Sequence, residues 1–423
     1  MLGEKPLTAE DAKKGHRGRE EKLPGMSPHS ADEQHLPADE QNLHRALELA
    51  RAGIGLASPN PYVGAVITDS RGDVAGTGTY TYAGVKHAEI LALEAAGEKA
   101  RGGTLYINLE PHAHQGRTAP CTDALIAAGI RRVVAAMADP NPKVSGRGFE
   151  QLRAAGVQVE VGGLEVEARR LNEGFARYIR HGVPLVTLKA AMTLDGKIAP
   201  APSSRHKRGN GSSASEFTGS WLTGEAARAH VHEMRHEQDA IVAGVGTIIA
   251  DNPLLTDRSG RARRRRLLRV ILDSRLRLPL DSRLIESIVR ERDAGVSGDV
   301  LVFCSSASEQ KKTQLEQLGI RVETVAAGEL DKRPDFRAVL RRLGELEITS
   351  VMIEGGATVN AAALAAHVVD KVFLYYAPKI LGEGAVPFAG AGFGDGALVK
   401  NVQVRRFGED FAVEGYLRDP YGE

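Results

Sequence analysis

Two histidines, a cysteine and a glutamate fall within one short stretch, at His87, Glu89, His112 and Cys121, and they constrain the fold more than any other feature. His87 stands at the head of a helical segment in which Ile90, Leu91 and Leu93 to Ala96 supply an apolar side. Gly102-Gly103 then releases the chain into a strand over Thr104 to Asn108, and Pro120-Cys121 opens a second helix that Gly129 closes. Both helices therefore carry a candidate ligand in the first turn. There the unpaired amide N–H groups and the helix dipole favour a thiolate at Cys121 and a carboxylate at Glu89. Two imidazoles, a thiolate and a free carboxylate are the parts with which a zinc ion makes water a nucleophile.

The spacing points to hydrolytic deamination. In zinc deaminases a His and two Cys hold the metal, while a Glu two residues after the His moves protons between water and the leaving amine without binding the ion. His87 and Glu89 fit that pattern. The position directly after Glu110-Pro111, where the pattern has its first Cys, is His112, so the ligand set reads His-His-Cys. Imidazole in place of thiolate makes the centre more positive by one charge and less soft, and His remains a competent zinc ligand. The alternatives are a decayed site in which His112 is an ordinary histidine, and a role for His114 as a supporting or substitute ligand.

Around this stretch strands and helices alternate, which predicts an α/β layer with its later strands parallel. Asp39 is placed to cap a first helix with Leu43, Ala46, Leu47 and Ala50 at helical spacing, ended by Gly53. Val63 to Thr68 and Val74 to Thr79 read as a hairpin across Asp69 to Gly72. Strands at Val133 to Met137 and Val157 to Val161 and one helix over Leu164 to Ile179 complete the layer, before a linker at His181 to Pro184.

A chain of 423 residues with 42% apolar composition is long enough for two cores. The boundaries expected are an extension over 1–38, a first domain over 39–181 and a second over 184–423. A net charge of +1 gives no reason to expect nucleic acid or an anionic membrane and favours small-molecule chemistry. Two cysteines are too few for a disulfide framework and fit a reducing cytoplasm. No apolar run is long enough for a signal peptide or a membrane span. The first 40 residues, rich in Lys, Glu, Gly, Pro and His, read as disordered, with Met26 an alternative start.

The second half opens with an apolar strand, Leu185 to Ala190, followed by a segment at Ala199 to Glu216 that is poor in apolar residues and reads as a mobile insertion. Further strands are expected at Ala240 to Ala243, Leu268 to Asp273, Val300 to Cys304, Ser350 to Ile353 and Lys371 to Ala377. Two glycine turns each follow a strand and open a helix, Gly244-Val245-Gly246-Thr247 and Glu354-Gly355-Gly356-Ala357-Thr358. Such turns suit the phosphates of a dinucleotide, although no G-x-G-x-x-G is present. Arg261 to Arg266 holds five arginines and reads as a surface loop, since no aromatic residues interleave them for nucleic acid; contact with a cofactor 2′-phosphate is a lesser reading.

Taken in order, Pro59-Asn60-Pro61, His87-Ala88-Glu89, Gly116 to Cys121, Asp139-Pro140-Asn141-Pro142, Leu194-Asp195-Gly196-Lys197, Asp251 to Thr256 and Glu354 to Thr358 closely resemble the bifunctional riboflavin-biosynthesis deaminase/reductase family. The resemblance runs from about residue 40 to about residue 415 and implies a cytidine-deaminase-like domain followed by a dihydrofolate-reductase-like domain. It implies zinc-dependent deamination of a diaminopyrimidine ribotide and then NADPH-dependent reduction of its ribosyl group. By motif, zinc falls to His87, His112 and Cys121, with Glu89 as the proton shuttle. NADPH falls to Ala191, Trp221, Thr247, Asp251, Ser274 and the run Gly356, Ala357, Thr358, Val359, Asn360, Ala361 and Ala362. Substrate falls to Arg235, Leu255, Arg258 and Glu354, and to Ser220, which neighbours the place where the family often has its serine; Gly219 occupies that place. The family assembles through its reductase domains, so a homo-oligomer is expected. Plainer roles stand beside these: a core position for Trp221, solvated ion pairs for Arg235 and Arg258, and a turn cap for Glu354.

Overall fold

The computed structural model of the protein describes residues 37–114, 119–201, 221–293, 298–328, 332–391, 393–394 and 396–422. Nearly all of the expected extension, most of the insertion at 199–216, Gly219, Ser220 and residues 116–118 of one motif lie outside the described residues.

The first helix, α1 (Ala38–Arg51), buries Leu43, Ala46, Leu47 and Ala50 as their spacing predicts. Asp39 does not cap it. Pro37 holds the N-cap position, and Asp39 turns to the sheet, accepting from Arg132 Nη2 at 2.7 Å and from the Tyr106 hydroxyl at 2.7 Å. A bidentate guanidinium outweighs a local amide as a partner for a carboxylate.

The chain continues through β1 (Gly64–Thr68), β2 (Val74–Thr79), α2 (Ala88–Ala96), β3 (Thr104–Ile107), α3 (Cys121–Ala127), β4 (Arg132–Ala135), α4 (Arg147–Ala154) and β5 (Gln158–Val161). The sheet order is β2-β1-β3-β4-β5. β1 runs antiparallel to β2 and β3, whereas β3, β4 and β5 are parallel.

Helix α2 corrects one expectation. Its buried side is Ala88, Glu89, Ala92 and Ala96, while Ile90, Leu91 and Leu93 are only half-buried. The cause lies in the strand beneath. A Cβ on Gly76 would sit 2.2 Å from the Ala92 carbonyl oxygen, and one on Gly78 would sit 2.1 Å from that of Ala88. The helix backbone approaches the strand too closely for anything larger than alanine between them.

The single helix expected over Leu164 to Ile179 is two, α5 (Glu165–Leu171) and α6 (Glu173–His181). Asn172 separates them, its buried amide accepting from Tyr62 N–H at 2.8 Å and donating to the Tyr62 carbonyl at 3.1 Å. An amide committed to a neighbouring loop breaks the helix where apolar spacing alone would continue it.

In the second half β6 (Leu185–Thr193) and β7 (Lys197–Ala199) precede α7 (Glu225–Glu237), β8 (Ala240–Gly244) and α8 (Val245–Asp251). Next come β9 (Leu268–Leu272), α9 (Arg283–Asp293), β10 (Val300–Cys304), α10 (Glu309–Gln317), β11 (Arg321–Thr324) and α11 (Phe336–Glu345). The chain closes with β12 (Ser350–Ile353), α12 (Ala357–Ala365), β13 (Lys371–Ala377), β14 (Val386–Pro387), β15 (Lys400–Phe407) and β16 (Asp410–Tyr416).

Nine of these strands form one sheet in the order β11-β10-β9-β8-β12-β6-β13-β16-β15. From β6 the chain skips a place to β8, steps outward to β11, and returns with β12 to fill the gap. Adjacent elements therefore depart in opposite directions at β8 and β12, which is where open α/β sheets bind ligands. Apolar cores lie on both faces of this sheet.

The arginine run is a surface loop, exposed at Arg261 and Arg266, whose half-buried middle has partners. Arg264 N–H donates to the Gly55 carbonyl at 2.8 Å, and its guanidinium lies 4.0 Å from the Tyr82 ring centroid. Arg265 bonds Ser58 Oγ at 3.2 Å and the Glu347 carbonyl at 2.6 Å, while Arg263 bonds the His236 carbonyl at 2.7 Å. Arg264 and Arg265 thus fasten the second half to the loops in front of His87, while Arg263 holds the second half's own loop together. Helix α6 makes a second fastening, where Glu173 accepts from Lys371 Nζ at 2.8 Å and from the Tyr416 hydroxyl at 2.7 Å.

Candidate active sites

In the first half, the α2 and α3 N-termini converge. His87 is the N-cap residue of α2 and Cys121 is the first residue of α3. His112 reaches α3 through its backbone, its carbonyl accepting from Cys121 N–H at 2.9 Å and Thr122 N–H at 3.3 Å. One candidate ligand's carbonyl thus caps the helix that presents another. Glu110 holds the loop beneath. Its buried carboxylate accepts from the N–H groups of Asp139 at 3.0 Å, Gly146 at 2.8 Å and Gly148 at 2.8 Å.

The ligand atoms of His87, His112 and Cys121 lie within 4.8 Å of one another, and Cys121 Sγ is 3.2 Å from His87 Nδ1. His112 Nδ1 is buried with no hydrogen-bond partner. Burial, helped by the charges of His87 and His114, pushes the His112 pKa down to about 4, which keeps the ring neutral as a ligand must be. Burial and then Glu89 push the Cys121 thiol up, the reverse of what a cation among these donors would impose. Two imidazoles and a thiol around a common point fit zinc. Glu89 is 3% exposed, and burial raises its carboxyl pKa against the pull of His87 and Cys121. Tyr80 stands edge-on to the His87 ring at 5.5 Å and accepts at its hydroxyl from Asn60 Nδ2 at 2.5 Å. The motif reading missed Tyr80, because nothing in its local sequence marks it.

In the second half the two glycine turns face each other at the carboxyl ends of β8 and β12. A Cβ on Gly356 would lie 3.8 Å from Thr247 Oγ1, and one on Gly244 would lie 2.7 Å from Val359 Cγ2. Ala191 lies in β6 beside them, and Ser274 follows β9, its carbonyl accepting from Ser306 N–H at 2.9 Å. Thr358 and Asp251 are exposed at the rim, whereas Asn360 and Ala361 are buried in α12. The Asn360 amide donates to the Phe388 carbonyl at 2.8 Å. Trp221 is not core. It is 66% exposed, with the Arg228 guanidinium 5.5 Å from its ring centroid.

Glu354 is neither a turn cap nor free. Arg235 Nε and Nη2 grip its two oxygens at 2.7 and 3.0 Å, and Lys189 Nζ lies 3.6 Å away. Burial alone would raise the Glu354 pKa, but Arg235 and then Lys189 bring it down to about 2. Arg235 also donates to the Thr256 carbonyl at 3.1 Å, and exposed Arg258 reaches Thr256 Oγ1 at 3.4 Å. Leu255 puts its side chain in the core at 4% exposure, with φ at 54°. Lys189 went unremarked in the motif reading, though a lone charge inside an apolar parallel strand was the available signal.

Two family models match the chain: the cytidine and deoxycytidylate deaminase zinc-binding region over residues 37–137 and the RibD C-terminal domain over residues 184–413. The riboflavin biosynthesis protein RibD of Actinobacillus pleuropneumoniae is 39% identical over 385 residues, which is 89% of this chain and 95% of its own. The chain belongs to the RibD family. RibD of Aquifex aeolicus is also 39% identical, over 89% of this chain and 97% of its own. Among solved structures, RibD of Acinetobacter baumannii superposes with a TM-score of 0.74 at 34% identity, covering 90% of this chain and 98% of that one. The Thermotoga maritima diaminohydroxyphosphoribosylaminopyrimidine deaminase/5-amino-6-(5-phosphoribosylamino)uracil reductase does so with a TM-score of 0.70 at 36% identity and the same coverage.

Like other RibD proteins, this is an enzyme of riboflavin biosynthesis with two activities. A cytidine-deaminase-like, zinc-binding half precedes a dihydrofolate-reductase-like half of the NADPH-using type. No helix among the described residues is long and apolar enough to cross a membrane.

Proposed function

We propose that the first half hydrolyses the 2-amino group of 2,5-diamino-6-ribosylamino-4(3H)-pyrimidinone 5′-phosphate. The second half then reduces the ribosyl chain, giving 5-amino-6-ribitylaminouracil 5′-phosphate. The observation that carries this reading is the convergence of His87, His112 and Cys121 beside buried Glu89. In that role His87, His112 and Cys121 hold zinc, which when bound supplies the Lewis acidity that makes water nucleophilic at neutral pH. Glu89 accepts the proton of the attacking water and passes it to the departing amine, a task suited to a carboxyl whose pKa burial has raised. Tyr80 and Asn60 hold the His87 ring in place.

In the second half NADPH supplies the hydride. The facing turns around Thr247 and Gly356 to Ala362 cradle its phosphates, with Ala191, Trp221, Asp251 and Ser274 around them. Arg258, with Ser220 and the Leu255 backbone, receives the substrate phosphate. Arg235 and Glu354 orient the sugar as a pair, because Arg235 is already committed to Glu354. The two catalytic units span residues 39–181 and 184–423 of a cytoplasmic enzyme that assembles through its reductase half.

The test is ammonia release from the diaminopyrimidine ribotide by zinc-replete and chelator-treated protein, alongside NADPH oxidation on the deaminated product. Chelator-sensitive release with chelator-insensitive NADPH oxidation is the expected result. No release from folded, zinc-replete protein would assign His112 to a disabled site and leave reduction as the chain's only activity.

A further inference from the structure

Where the linker passes from α6 into β6, a cleft of about 520 Å³ opens between the halves. It lies at the amino ends of β6 and β13, the opposite end of the sheet from the facing glycine turns. Its wall is basic. Arg177 and His181 come from α6, Arg337 and Arg341 from α11, and Arg418 follows β16.

Of the four guanidiniums lining the cleft, Arg177 and Arg418 share one carboxylate, Asp370, which is fully buried. Its Oδ2 accepts from Val186 N–H at 2.8 Å and its Oδ1 takes Arg418 Nη2 at 2.7 Å. Arg177 Nε comes only to 3.5 Å of Oδ1, and both Arg177 Nε and Arg418 Nε are buried without a hydrogen-bond partner. Among the described residues no carboxylate pairs with Arg337 or Arg341, although the Arg337 Nη2 donates to the Ala366 carbonyl at 3.0 Å. The floor is apolar, made by Pro184, Leu340 and Val368.

Guanidiniums that outnumber their carboxylates, with Arg337 and Arg341 exposed beside an apolar floor, call for an anion with an apolar body, and the volume suits a small molecule. We infer that this interdomain cleft is a binding site for a phosphate monoester on a ring-bearing small molecule, separate from both catalytic centres. Its ligand bridges the last helix of the deaminase half, the linker and the reductase half. Occupancy therefore stiffens the junction between the two activities.

Titration calorimetry with adenosine 5′-monophosphate tests this on the full chain, with NADP⁺ in saturating amount so that the cofactor's own phosphate subsites are filled. Arg337 and Arg341 are both exposed, so R337Q/R341Q tests the cleft without disturbing a core, and unchanged NADPH oxidation checks its fold. The expected result is one site per chain, with adenosine binding at least about tenfold more weakly and the double variant weakened by a similar factor. Equal affinity of variant and parent, equal affinity for adenosine, or no saturable binding to the parent chain would overturn the inference.

Discussion

Replacing Glu354 with Gln removes the one carboxylate that Arg235 and Lys189 share inside the reductase. All three side chains are at most 14% exposed, so solvent screens their attraction little. The two cations bring the carboxyl from its ordinary 4.5 down to about 2 against the opposing effect of burial. At about 1.4 kcal/mol per pH unit, that preference for the charged form stabilises the native state by about 3 kcal/mol. Removing one partner of a buried ion pair costs about 3–5 kcal/mol, so two independent routes reach the same magnitude. The sign with pH follows from the direction. A depressed carboxyl stabilises the fold fully above its unfolded-state value and loses that contribution as pH falls toward 2. The gap between E354Q and the parent chain is therefore widest at neutral pH and narrows by about 2 kcal/mol by about pH 3. Urea unfolding, read from hydrogen exchange of peptides spanning 185–193 and 350–353, measures it. A gap below about 1 kcal/mol at neutral pH, or one indifferent to pH, would refute the reasoning.

Glu89→Gln is expected to lower ammonia release by about a hundred- to ten-thousandfold, with NADPH oxidation on the deaminated product unchanged; a parallel loss of both would assign Glu89 a structural role. Gly78→Ala places a methyl 2.1 Å from the Ala88 carbonyl oxygen and should cost at least about 1–3 kcal/mol. Calorimetry should show the deaminase transition melting earlier and the reductase transition unmoved. Arg264→Ala removes the guanidinium from the Tyr82 face, worth about 0.5–2 kcal/mol at a half-buried site. Limited proteolysis should then cut faster around Gly182, and an unchanged rate would show that the Arg264 guanidinium does not fasten the halves.

Much of the molecule was legible in residue order because its determinants are local. The spacing of Leu43, Ala46, Leu47 and Ala50 specifies α1, and the runs at Val300 to Cys304, Ser350 to Ile353 and Lys371 to Ala377 are strands with those bounds. The misreadings share one cause, a distant partner that overrides a local preference. Asp39 bonds Arg132 from within the first turn instead of capping α1, Asn172 breaks a helix to serve Tyr62, and α2 turns its alanines inward because Gly76 and Gly78 lie beneath it.

The sequence by itself determined the chemistry available, since two imidazoles, a thiol and a carboxyl at helix starts carry their reactivity wherever they lie. Tertiary structure alone decided which charges meet. It paired Arg235 with Glu354 across 119 residues, set Lys189 against them, and turned Arg264 and Arg265 to the junction between the halves. Apolar periodicity is written along the chain and survives folding, whereas an ion pair exists only once two remote segments share a low-dielectric space.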